Sequence, residues 1–184
     1  YPNRSPTIGG TVVELYGPNF MPRRHRCQFG DADEPAHFVS TALAKCQVSP
    51  RQYIGDVVFA MSTGTGDDLV MTSLETAVHD YYLQPTIAAL DPDRGKSDGG
   101  QRVEVTGYNF VNSESLACSF GTIRPIYGTY ETDTLMSCVA PARTPGYQKD
   151  GTFPENTFEI TGNGVDYTSQ KLIFTYEPSD EELK

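Results

Sequence analysis

Tryptophan is absent from this sequence, histidine occurs only three times, and cations are outnumbered, with 14 Lys plus Arg against 24 Asp plus Glu for a net charge of -10. The cation deficit argues against nucleic acid, since phosphate neutralisation needs a basic face and no Lys/Arg-rich run exists. It argues equally against anionic membrane surfaces. No apolar run approaches the roughly 18 residues of a membrane helix, so no direct membrane insertion is expected. A basic region followed by an apolar one is missing at Tyr1, so no signal peptide is read there, and the chain is expected to be a mature or excised piece of something longer. With 17 Gly and 13 Pro the chain is too often interrupted for long helices and suits short strands joined by tight turns.

The four cysteines, Cys27, Cys46, Cys118 and Cys138, are separated by 19 and 20 residues within two pairs and by 72 between them. None has the close C-x-x-C spacing of a zinc site or redox dithiol, and His25, His37 and His79 do not join them at ligand intervals. Two local disulfides, Cys27–Cys46 and Cys118–Cys138, are expected rather than metal. Closing a loop of about 20 residues stabilises a domain by ~3 kcal/mol on the chain-entropy model. Such bonds persist in oxidising compartments, so an extracellular or cell-surface location is expected.

The cysteine spacing is part of a wider duplication. Residues 9–20 align with 99–110 at an offset of 90, with seven of twelve positions identical. Cys27-Gln28-Phe29-Gly30 answers Cys118-Ser119-Phe120-Gly121, Cys46 and Pro50 answer Cys138 and Pro141, and Tyr81-Tyr82-Leu83-Gln84-Pro85 is matched to Phe174-Thr175-Tyr176-Glu177-Pro178 at an offset of 93. Two homologous domains follow, 1–84 and 85–178, with an acidic tail at 179–184. The first lacks a counterpart of Ile87-Ala88-Ala89-Leu90, so its first strand is read as missing or supplied from upstream. No Gly/Ser linker separates the two, and a stiff end-to-end array is expected.

Within each unit Val13 and Leu15 flank Glu14, as Val103 and Val105 flank Glu104, the period-2 pattern of a strand with one face in a core. Gly17 and Gly107 are read as positive-φ residues of a turn in which Asn19 and Asn109 bond their own backbone. Cysteine and aromatic share a face in Cys27-x-Phe29 and Cys118-x-Phe120, with Cys46 and Cys138 on a neighbouring strand. Later strands are placed around 57–61, 157–160 and 171–176, giving about seven per unit. Helical spacing at 73–83 is set aside because the matching segment of the second unit has strand composition. The expected fold class is all-β, two tandem immunoglobulin-like sandwiches.

The pattern Pro85-x-Ile87-x-x-Leu90-x-Pro92-x-x-Gly95-x-x-x-Gly99-Gly100, followed by Val103-x-Val105-x-Gly107-x-Asn109-Phe110, Cys118-x-Phe120-Gly121 and Cys138-x-x-Pro141, resembles an IPT/TIG domain. The first unit repeats it from Gly9 onward. The resemblance implies an immunoglobulin-like β-sandwich and the same intradomain cysteine pairing. It leaves function open, because similar modules occur in receptors such as plexins, in surface and matrix proteins, beside carbohydrate-active domains and in transcription factors.

Catalytic signatures are lacking. No Gly-x-Ser-x-Gly elbow is present, His37 and His79 read as surface or strand residues, and the acidic sets Asp31/Asp33/Glu34 and Asp67/Asp68 read as solvated loops. No cofactor is expected and the chain is read as not an enzyme. Asp91, Asp93 and Asp98 are weak calcium candidates, without EF-hand spacing. Asn3-Arg4-Ser5 is a sequon that would admit a glycan. Arg23-Arg24-His25-Arg26 is the one basic cluster, able to meet an acidic surface of another copy, and Tyr127, Tyr130 and Tyr147 are candidate interface rings. The expected role is a non-enzymatic structural and protein-interaction module, a rigid spacer in a larger surface, matrix or filament protein. Its partners would be other protein modules or copies of itself. The alternative is a ligand-binding stalk segment of a plexin-like receptor.

Overall fold

The computed structural model describes residues 1–64, 70–71, 77–143 and 155–179. It divides into two compact units, Tyr1–Gln84 and Pro85–Lys184. All its regular elements are strands, and no helix among the described residues is long and apolar enough to cross a membrane. The fold is all-β and immunoglobulin-like, with nine described strands in each unit where seven were expected. The segment considered for a helix is strand β9 over Ala77–Tyr82; its earlier part lies outside the described residues.

In the first unit, β1 (Arg4–Pro6), β9, β7 (Gly55–Thr63), β3 (His25–Phe29) and β4 (Ala32–Pro35) form one sheet in that order, with β8 (Val70–Met71) also paired to β7. The opposing sheet is β2 (Val12–Tyr16), β6 (Leu43–Gln47) and β5 (His37–Ser40). All pairings are antiparallel except β1 with β9. Val13, Cys27, Phe29, Cys46, Val48, Val57 and Tyr81 are buried between the sheets.

The second unit repeats this plan, adding a strand over Thr86–Asp91 and, among the described residues, showing no counterpart of β8. Its larger sheet runs β11 (Arg94–Lys96), β18 (Leu172–Glu177), β17 (Glu155–Thr161), β13 (Ala117–Phe120), β14 (Ile126–Tyr127). The smaller is β10 (Thr86–Asp91), β12 (Arg102–Tyr108), β16 (Leu135–Val139), β15 (Thr129–Thr132). The alternation read in 102–108 is complete, with Val103 and Val105 wholly buried. Strand β10 covers one side of β12, while among the described residues β2 pairs as a strand with β6 and its Glu14 exchanges backbone hydrogen bonds with Tyr1 on the other side. The buried core here is larger: Phe120 meets Phe158 and Phe174 edge-on at 4.9 and 5.1 Å, and Ile87 and Leu90 of β10 close its end.

Both disulfides are present, and both run between sheets rather than between neighbouring strands. Cys27 of β3 joins Cys46 of β6, and Cys118 of β13 joins Cys138 of β16, with Cα atoms 6.3 and 6.4 Å apart. Each therefore ties the two layers through the middle of its core.

Candidate functional site

Beside each disulfide a tyrosine of the last strand fastens the sandwich. Tyr81 donates its hydroxyl to the Ser49 carbonyl at 3.1 Å with Arg51 over its ring, and Tyr176 donates to the Pro141 carbonyl at 2.9 Å with Arg143 over its ring. Burial pushes the Tyr176 hydroxyl up to about 12 and that of Tyr81 upward too. These contacts correct the repeat alignment. Tyr81 is the partner of Tyr176, at an offset of 95 in place of 93, as the registers Ser5↔Tyr81 and Gly95↔Tyr176 confirm.

The corrected register places His79 where the second unit has Phe174. His79 is 2% exposed, packs edge-on against Phe29 and Tyr81, and shares a 2.8 Å hydrogen bond with Ser5 Oγ. Desolvation drives its pKa down to about 4, with the Tyr1 ammonium adding to the effect. It is a neutral core residue at physiological pH, and the Ser5 hydroxyl bonded to it is itself wholly buried.

The turns after β2 and β12 are built alike but not as read from sequence. The left-handed residues are Asn19 and Asn109, with φ of 66° and 60°, while Gly17 and Gly107 do not take positive φ. Their N–H groups instead donate to the Ala42 and Thr134 carbonyls, and Phe20 and Phe110 N–H to those of Thr41 and Asp133. Asparagine tolerates this conformation better than other side chains.

Asp91, Asp93 and Asp98 are all exposed, Asp93 lies beside Arg94, and among the described residues no group of three or more metal-binding side chains is assembled. Within the other acidic set, Asp33 takes Arg26 at 2.8 Å and Glu34 accepts the Ser49 hydroxyl. Asp67 and Asp68 lie outside the described residues, as do Tyr147 and most of the acidic tail. Asn3 is exposed, but Ser5 of its sequon is wholly buried against His79.

Among the described residues, more exposed large apolar side chains lie in the first unit than in the second. A groove of about 580 Å³ is lined by Arg23, His25, Arg26, Pro35, His37 and Phe38 among others, which gives the basic cluster a concave setting. Met21 N–H donates to His25 Nε2 at 3.0 Å, leaving Nδ1 without a partner, and burial lowers this imidazole's pKa. Val58 and Val78, directly opposite each other on β7 and β9, are about half exposed at 52% and 51%. In the second unit Tyr127 is 82% exposed and Tyr130 is half-buried against the core. Sequence reasoning found the basic cluster from its run of charge but had no signal for the valine pair, whose partners are 20 residues apart in the chain.

Paired sheets, a cross-sheet disulfide and a short early strand paired parallel with the last strand define each unit as an immunoglobulin-like β-sandwich. The family model for the IPT/TIG domain matches residues 1–76 and 85–176, and the chain belongs to that family. Human Plexin-A2 is 28% identical over 156 residues, covering 77% of this chain and 8% of that protein. The probable serine/threonine-protein kinase drkC of Dictyostelium discoideum is 34% identical over 76 residues, covering 40% of this chain and 10% of its own length. The chain thus spans a tenth or less of the curated relatives it matches. Among solved structures, the plexin A4 full extracellular region aligns with a TM-score of 0.53 at 16% identity, covering 97% of this chain and 15% of that one. At that identity the likeness concerns the fold alone.

Proposed function

We propose that this chain is a non-enzymatic, extracellular protein-interaction tandem that serves as a rigid spacer within a larger cell-surface, matrix or filament protein. The observation that carries the reading is connectivity: three residues, Leu83, Gln84 and Pro85, separate the last strand of the first unit from the first strand of the second. A connector that short, ending in proline and without glycine, leaves little backbone freedom. Two disulfide-tied units would then hold their exposed side chains at a set spacing, and the disulfides favour an oxidising compartment. Partners would be other protein modules or copies of itself.

Sedimentation velocity combined with negative-stain microscopy of native material tests this. Filaments or large regular particles support the structural version. A flexible pair of beads, varying in separation from particle to particle, overturns the spacer.

A second reading, a ligand-binding stalk segment of a plexin-like receptor ectodomain, is favoured by the alignment with Plexin-A2, which covers 77% of this chain and so reaches into both units. It calls for a single-copy particle that binds a distinct protein ligand.

A further inference from the structure

We propose that the groove of the first unit between Arg23 and Phe38 binds an extended segment of a different protein, one in which an acidic side chain adjoins an apolar one. The carboxylate would meet Arg23, and the apolar side chain would lie on Phe38 and Pro35. The proposal rests on the protein-interaction role, for which it names a site, and holds for a spacer and a receptor segment alike.

The second unit shows the same place closed. Ala36 N–H donates to the His25 carbonyl at 3.0 Å and Gly128 N–H to the Leu116 carbonyl at 2.9 Å, so His25 stands where the second unit has Leu116. Phe38 lies opposite Ala44 and Tyr130 opposite Met136, each two residues before the cysteine of its strand, so these rings correspond as well. Leu116 is 2% exposed and Tyr130 packs against the core. In the first unit His25 and Phe38 are half-buried and line the groove instead.

Arg23 is held there against its own backbone preference. Its φ of 58° lies in the left-handed region, where glycine is the ordinary residue and an arginine side chain offers no compensation. The chain is pinned on both sides: Met21 N–H donates to His25 Nε2 at 3.0 Å, and Gly64 N–H donates to the Arg24 carbonyl at 3.0 Å. Backbone kept in an unfavoured region by its surroundings is a mark of binding sites.

The groove also has hydrogen-bonding capacity that the first unit does not use. Arg26 is engaged by Asp33, through Nε to the carboxylate at 2.8 Å and through Nη2 to the carbonyl at 3.1 Å. Arg23 is exposed and, among the described residues, has no carboxylate at ion-pair distance. Because His25 Nε2 accepts from Met21, the proton of the neutral ring is on Nδ1, and that N–H is buried without an acceptor. An unpaired guanidinium and an unpaired N–H donor in one groove suit a carboxylate, and the walls of Phe38, Pro35 and Pro22 suit an apolar neighbour.

Charge selects the occupant. Asp33 and Glu34 lie on β4 with Asp31 just before it, and the chain carries a net charge of -10. A sulfated glycan, charged along its whole length, is repelled where a single carboxylate is not, and copies of this chain repel one another.

The test titrates the isotopically labelled 184-residue chain with a capped hexapeptide, Gly-Asp-Glu-Phe-Leu-Gly, up to millimolar concentration. Saturable shifts are expected at Arg23, His25, His37 and Phe38. The peptide with asparagine and glutamine in place of its acids should bind about tenfold more weakly or worse, since the charge-assisted bonds are lost. Arg23→Gly separates binding from structure: glycine suits this φ, so the unit should unfold at an equal or higher denaturant concentration while peptide affinity falls at least fivefold. Arg23→Lys should keep most of the affinity. The proposal is overturned by the absence of saturable shifts in the groove, by unchanged affinity of Arg23→Gly, or by equal binding of the neutral peptide. Tighter binding of a heparin-derived hexasaccharide overturns it in favour of a glycan. Groove shifts that grow with protein concentration without peptide overturn it by seating a second copy there. Peptide shifts confined to other residues overturn the groove and leave the protein-interaction role standing.

Discussion

Ser5 and His79 form a buried hydrogen-bonded pair, 2.8 Å apart, where the second unit has Gly95 and Phe174. The two pairs are alternative solutions to one packing problem. A Cβ at Gly95 would lie 3.1 Å from Phe174 Cζ, so the full phenyl ring goes with glycine opposite. An imidazole leaves room for a serine and needs its hydroxyl, because a buried ring nitrogen without a partner is costly.

A pH dependence of the first unit follows. His79 titrates near 4 when folded, against an ordinary value of 6.5. Between those values the unfolded chain holds a proton that the folded unit rejects, so stability is complete above about pH 6.5 and is lost as pH falls towards 4. The loss should reach about 3 kcal/mol, using 1.36 kcal/mol per pKa unit. Urea unfolding followed by resonances of the first unit at several pH values checks it. The double variant Ser5→Gly with His79→Phe, which copies the second unit, should flatten this pH dependence between pH 4 and 6.5.

The close fit around Gly107 gives a second expectation. Gly107→Ala forces a methyl onto the Thr86 carbonyl and the Phe110 ring and should cost about 3 kcal/mol, the upper range for overpacking a close-fitted site. Either β10 lifts from β12 or Phe110 leaves its pocket. Denaturant unfolding followed by resonances of the second unit measures the loss, and a variant as stable as the native chain would contradict the described contact.

Much of the fold was legible because the duplication and the strand period are local in sequence. Glu14 between Val13 and Leu15 announces a half-buried strand wherever it sits, and a repeat of cysteine spacing survives small insertions. What was not legible depended on relations across the sandwich. The two-residue slip that pairs Tyr81 with Tyr176 was hidden because Tyr81-Tyr82 also resembles Phe174-x-Tyr176 in aromatic content, and it is the strand registers and the hydrogen bonds to Ser49 and Pro141 that decide between them. The cross-sheet course of the disulfides was hidden for the same reason, since a spacing of about 20 residues does not say which sheet receives the second cysteine. His79 looked like an ordinary strand residue because its burial is set by Phe29 and Ser5, both more than 40 positions away.

The turn asparagines carry a cheaper test. At φ of 66° Asn19 occupies the left-handed region, which costs a residue with a Cβ roughly 1–2 kcal/mol unless its side chain compensates. Asn19→Ala should therefore be less stable than Asn19→Gly by about 1 kcal/mol, and Asn109 should show the same order, with unfolding midpoints as the readout. Equal stability of the two variants would mean the turn relaxes out of this conformation.

The two disulfides make the last prediction, and the two units should not respond alike. Each bond closes a loop of similar length, with sequence separations of 19 and 20, so on the chain-entropy model each contributes about 3 kcal/mol. The second unit keeps a core that includes Ile87, Phe110, Phe120, Phe158 and Phe174 when its bond is removed. The first retains a smaller described core, so the same loss is a larger share of its stability. Replacing Cys27 and Cys46 by alanine should abolish the cooperative transition of the first unit at physiological temperature. The equivalent change at Cys118 and Cys138 should lower the melting temperature of the second and leave it folded. Calorimetry of the two double variants reads both outcomes, and a first unit that stays cooperatively folded without its disulfide would show that its sheets are held by contacts other than those described.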